Sequence, residues 1–74
     1  MGSRSKPLSS AEQAVLRKLI ARGGTWANGD TPLWESRYWT LHLLNRLASQ
    51  GLVSEVEQDR KYQATRDGLA VNRW

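Results

Sequence analysis

The segment "LLNRLASQGLVSEVEQDRKYQATRDG", residues 43 to 68, constrains the fold of this chain more than any other. An apolar helical pattern runs into Gly51-Leu52-Val53, passes through a charged stretch with strand character, and closes on Tyr62-x-x-Thr65-x-x-Gly68. Gly51 stands where a helix commonly ends in a left-handed cap. The charged stretch fits two strands, residues 52–57 and 61–65, with Gln58-Asp59-Arg60 as the loop. Because side chains alternate along a strand, this register sets Val56 opposite Tyr62 and Ser54 opposite Ala64, while Glu57 meets Lys61 on the other face. The pattern predicts a helix that stops on a glycine so that a charged hairpin projects beside it.

The helix before that glycine reads from Glu35 or Ser36 to Gln50. At 100° per residue, Thr40, Leu43, Leu44 and Leu47 share one arc, flanked by Trp39 on one side and by Leu41 and Ala48 on the other. Tyr38, His42, Asn45, Arg46 and Ser49 fall on the opposite arc. An earlier helix opens at "SSAEQ", where Ser9 with Glu12, or Ser10 with Gln13, fits a capping box. Val15, Leu16, Leu19 and Ile20 form its apolar stripe, and Gly23-Gly24 ends it near Arg22. Between the two helices, Thr25-Trp26-Ala27 fits a short strand. Thr31-Pro32 is placed to open one turn of helix, with proline at the tolerated first position. The final "DGLAVNRW" fits either a short helical turn or a closing strand, with Trp74 docking on the core.

A chain of 74 residues makes one domain, and a core of this size buries only about 60% of the unfolded chain's surface. With no cysteine, neither disulfides nor thiolate metal sites supplement that core. Packing has to hold the fold, so the four tryptophans matter. Trp26, Trp34 and Trp39 are expected in the core or at an interface, since each ring buries about 150 to 250 Å². No apolar run approaches a membrane span or a secretory signal. "MGSRSK" departs from a myristoylation site at Lys6. A soluble, cytoplasmic protein is expected, with residues 1–8 as a flexible basic arm and residues 9–74 as the folded domain.

The formal charge is +4. The excess lies in Arg4, Lys6, Arg17, Lys18 and Arg22, opposed in that region only by Glu12, while later acids and bases balance. Such an arm and first helix suit a polyanionic partner such as nucleic acid.

This ordered set of elements, ending in "RLASQGLV" and "YQATRDG", resembles winged-helix transcription regulators of the MarR and PadR kinds over residues 9 to 70. The resemblance implies an α+β fold, a small winged helix-turn-helix in which a helix bundle carries a C-terminal antiparallel β-hairpin wing. It implies that the helix before Gly51 enters the major groove of double-stranded DNA while the hairpin lies against the backbone or minor groove. Carried onto this chain, the groove-facing candidates are Ser36, Arg37, Tyr38, Leu41, His42 and Asn45, with Arg60 and Lys61 meeting phosphates. Arg17, Lys18, Arg4 and Lys6 add non-specific attraction. The second helix of the motif is degenerate here or rebuilt around Trp34.

Chemistry other than binding finds little support. His42 is the sole histidine, so the usual zinc sites and histidine-based nucleophile arrangements lack their parts. The glycines lack a Gly-Lys-Ser/Thr ending. No enzymatic activity and no cofactor or metal is expected. The alternative to DNA binding is a winged helix used for protein contact, with a protein partner or a second copy, as in a phage or plasmid accessory factor. Joint exposure of Trp39 and Leu41 would favour that alternative.

Overall fold

Ser9 caps helix α1 (Ser10–Ala21) with the reciprocal pair its sequence promises: the Ser9 hydroxyl accepts from the Glu12 amide at 3.2 Å, and the Glu12 carboxylate accepts from the Ser9 amide at 2.8 Å. In this computed structural model, residues 8–58 and 60–71 are described. Arg4, Lys6, Asp59 and Trp74, each given a place by the sequence, lie outside that range. Leu8, assigned to the arm by sequence, is buried in the core. The packed domain therefore begins one residue earlier than expected.

Gly23 and Gly24 both take positive φ, and the Gly24 amide closes back on the Leu19 carbonyl at 2.9 Å. The chain leaves α1 straight into β1 (Thr25–Ala27), which pairs antiparallel with β3 (Lys61–Ala64). On the other side of β3 lies β2 (Val53–Glu57), giving one antiparallel sheet of order β1-β3-β2. Helix α2 (Arg37–Ser49) precedes the hairpin, and the short α3 (Arg66–Val71) follows it. This is a small α+β domain of three helices and a three-stranded sheet with a hairpin, over the described residues. Its core takes Val15, Leu16 and Leu19 from α1, Leu43, Leu44 and Leu47 from α2, and Trp26, Leu52, Val53 and Tyr62 from the sheet side. The Trp26 and Tyr62 rings meet at 6.5 Å across the β1–β3 pair.

The hairpin register differs from the simple count. Glu57 does pair with Lys61, but a bulge between Glu55 and Glu57 slips the rest, so that Glu55 faces Tyr62, Ser54 faces Gln63 and Val53 faces Ala64. The cause lies in Gly51-Leu52-Val53. With period-two alternation, an unbulged strand that kept Glu57 opposite Lys61 would turn Val53 outward and Ser54 inward. One extra residue in β2 restores Val53 to the core and leaves Val56 half-exposed.

The expected helical turn at Thr31-Pro32 is absent; no helix lies between Ala27 and Arg37. A side chain organises this segment instead. The buried Thr40 hydroxyl accepts from the Leu33 amide at 3.0 Å and the Trp34 amide at 3.1 Å, and donates to the Ser36 carbonyl at 2.8 Å. Both amides of this non-helical segment are thus satisfied by a side chain of α2. Upstream, Asp30 accepts from the Ala27 amide and from Arg22, and the Trp26 indole donates to the Thr31 carbonyl at 2.9 Å.

The Tyr-x-x-Thr-x-x-Gly spacing is likewise a fastening. Thr65 donates its hydroxyl to the Gly51 carbonyl at 2.7 Å and its amide to the Leu52 carbonyl at 3.0 Å, while the same hydroxyl accepts from the Gly68 amide. Gly51, at φ 81°, provides the left-handed exit from α2. Gly68 packs against Leu52 so closely that any β-carbon would collide with the Leu52 carbonyl oxygen. Threonine and glycine together lock α3 against the end of α2.

Candidate nucleic-acid interface

Helix α2 presents two unlike faces. Thr40, Leu43, Leu44 and Leu47 are buried, as their arc predicts. Arg37, Tyr38, Trp39, His42, Asn45, Arg46 and Ser49 are exposed. Leu41, a groove-facing candidate by resemblance, belongs with neither group. It is only partly exposed and packs against the core, because its position borders the apolar arc. Trp39, expected in the core or at an interface, is 43% exposed. It sits at the opposite border, where Leu43 and the neighbouring core side chains leave it uncovered. Trp34 packs against the core with the Lys18 ammonium 5.7 Å from its ring centroid.

Along its length, the exposed face divides again. In the C-terminal half, polar groups are committed to the protein itself. Arg46 pairs with Glu12 at 2.9 Å, Asn45 Oδ1 accepts from the Tyr62 hydroxyl at 3.1 Å, and Ser49 donates to the Arg46 carbonyl. Glu12 is almost fully buried. Burial pushes its carboxyl upward, but hydrogen bonds from Ser9 and Arg46, with the Arg46 charge, outweigh this and hold it below the ordinary value of 4.5. Tyr62 also reaches the Glu55 carboxylate at 3.3 Å, which turns this acid toward α2 near Asn45.

The N-terminal half differs. The Ser36 hydroxyl caps the helix by accepting from the Trp39 amide at 3.2 Å, so Ser36 acts first as a structural cap. Arg37 follows, exposed and in no ion pair among the described residues. The first turn holds no acid. Here the partial positive charge of the helix end is therefore uncompensated within α2 itself. Glu35, just before the cap, is the acid nearest in sequence and is exposed.

Three rings follow Arg37 in the first two turns of α2. Tyr38 and His42 are nearly parallel, 8° apart with centroids separated by 6.4 Å. Trp39 lies edge-on to both, at 5.3 Å from Tyr38 and 5.4 Å from His42. The helix wheel set Tyr38 and His42 on one arc and Trp39 at the border of the apolar arc. Trp39–His42 and Tyr38–His42 are i,i+3 and i,i+4 pairs, the spacing at which helix side chains meet.

Arg60 and Lys61 are exposed at the far end of the hairpin, beside Asn28 of the turn after β1 and opposite Glu57. They belong to a separate element from the α2 residues, linked to it through β3 and the Tyr62–Asn45 contact. Among the described residues no helix is long and apolar enough to cross a membrane, and no three potential metal ligands cluster. No family model, curated protein or solved structure matches the chain.

Proposed function

We propose that this chain is a winged-helix DNA-binding domain, a small cytoplasmic transcription regulator that sets α2 in the major groove and the β2–β3 hairpin against the flanking backbone. The observation that carries this reading is the division of α2: one face wholly committed to the core, the other exposed, with an Arg37 in no ion pair among the described residues and an acid-free first turn at its leading end. An arginine so placed can donate two hydrogen bonds to guanine, and Arg60 and Lys61 are of the type that meets phosphates. The sheet order β1-β3-β2 and the Thr65-Gly68 fastening after the hairpin agree with the same reading.

Salt-titrated binding to unrelated duplexes is the test. Arg37→Ala removes about 1 to 3 kcal/mol of discrimination between sites, whereas Lys61→Ala weakens all duplexes alike and lowers the salt slope by about one unit. Absence of duplex binding at low salt by the folded protein refutes the reading. A second reading, a winged helix for protein contact, is favoured by the exposure of Trp39 and by the acids Glu55 and Glu57 on the hairpin. Leu41, packed against the core, does not join Trp39 in an exposed pair, and this weakens that alternative.

A further inference from the structure

We infer that the Tyr38–Trp39–His42 cluster is a stacking platform for unpaired or unstacked bases, so that the DNA this domain prefers carries an opened base step rather than an unbroken duplex. The inference rests on the DNA-binding reading above and specifies its ligand.

The argument begins with what the leading half of α2 offers. Direct readout of a regular groove relies on hydrogen-bonding side chains aimed at base edges. Beyond Arg37, the exposed residues here are instead three mutually touching rings, with Tyr38 68% and Trp39 43% exposed. Leaving such rings in water forgoes the burial that aromatic side chains ordinarily supply. Among the described residues no exposed large aliphatic side chain on α2 accompanies them: the other exposed large apolar residues, Val56 and Leu69, are on β2 and α3. The patch is therefore a π surface, suited to flat aromatic ligands more than to an aliphatic protein anchor. Its electrostatics select the charge of that ligand. The first two turns of α2, which carry the rings, hold Arg37 and no acid, with Glu35 exposed just before the cap, while the buried Glu12 and the Tyr62-bound Glu55 are associated with the C-terminal half of α2. A cationic ligand would meet Arg37. A base attached to phosphates finds both ring faces and positive charge, the combination used by proteins that hold single-stranded nucleic acid.

The test compares one labelled duplex with the same duplex carrying a short internal bulge, using the full chain and fluorescence anisotropy. The bulged DNA is expected to bind roughly tenfold or more tightly, the order that stacking one base on an aromatic side chain supplies. Trp39→Leu and Tyr38→Leu should each reduce that preference while leaving the salt slope unchanged, because neither residue neutralises a phosphate. Tyr38→Phe should retain it. Tyr38 is the more exposed of the two, so its variants keep the test valid if Trp39→Leu impairs folding. Equal or tighter binding of the unbroken duplex overturns the inference and leaves the DNA-binding reading intact. Failure to bind either DNA at low salt overturns both. A dimer that forms without DNA and is lost in Trp39→Leu assigns the rings to a second copy and overturns the stacking role.

Discussion

The buried and exposed faces of α2 use the same helix for opposite ends. On the buried face every polar atom has a fixed task; Thr40, fully buried, uses its one hydroxyl to hold Leu33, Trp34 and Ser36. On the exposed face, the leading half keeps Arg37 in no ion pair among the described residues and three rings uncovered. In a domain this small, with a core that is modest by size alone, leaving a tryptophan and a tyrosine partly in water forgoes stability. The contrast separates residues that make the fold from residues the fold presents, and substitutions on the two faces should behave differently.

The largest effect is expected at the centre of the buried face. Leu44→Ala should cost about 2 to 5 kcal/mol, a large share of the stability of a small domain, and denaturant melts would measure it. A shift of only a degree or two would mean that this face is not the core. Thr40→Val comes next. It keeps the shape of the side chain but strands the Leu33 and Trp34 amides, at about 2 to 4 kcal/mol in total, since an unsatisfied buried group costs roughly 1 to 3 and the Trp34 amide is only part-buried. Hydrogen exchange should show these two amides losing protection while the leucine amides of α2 keep theirs.

An intermediate effect is expected at the border, where Arg46 meets the buried Glu12. Arg46→Ala should cost about 1 to 2 kcal/mol, less than a fully buried pair because Arg46 is half-exposed and screened by water. Glu12 also makes stability depend on pH. Its folded pKa is depressed, so its contribution is complete above the ordinary value of 4.5 and is lost as pH falls through the lower folded value. Comparing acid titrations of the wild type and Glu12→Gln should show a stability difference that is constant near neutral pH and changes only below that point. The smallest effect belongs to the exposed face. Tyr38→Ser should change stability by under about 1 kcal/mol, the scale of surface substitutions and exposed ring pairs. A loss as large as that of Leu44→Ala would remove the distinction between the faces.

Much of the fold was legible in residue spacing. The Ser9–Glu12 capping box, the Thr40-Leu43-Leu44-Leu47 arc, the Gly51 stop and the Thr25–Ala27 strand all stand where periodicity and capping chemistry place them. What escaped the sequence depended on contacts between distant elements. The β2 bulge follows from the competing demands of Val53 and of the Glu57–Lys61 pair, which no local pattern weighs. The segment around Trp34 is held in a non-helical form by a threonine six and seven residues later, which accepts its amides. Of the candidate site, Tyr38, His42 and Asn45 are exposed, as their arc predicts, whereas Leu41, set by the wheel at the apolar border and by the resemblance toward the groove, packs against the core because burial at the edge of an arc is left to the neighbouring elements. The ring cluster was not legible because the sequence left Trp39 open between the core and an interface.

The central claim is that the leading half of α2 is the DNA-facing surface, and backbone amide shifts followed by NMR during titration with duplex and bulged DNA test it most directly. The account predicts that the largest changes fall on residues 36–42, with smaller ones at Arg60 and Lys61 and little at Val15, Leu16 and Leu19. Changes concentrated on α1 or α3, with residues 36–42 unmoved while DNA is bound, would contradict it.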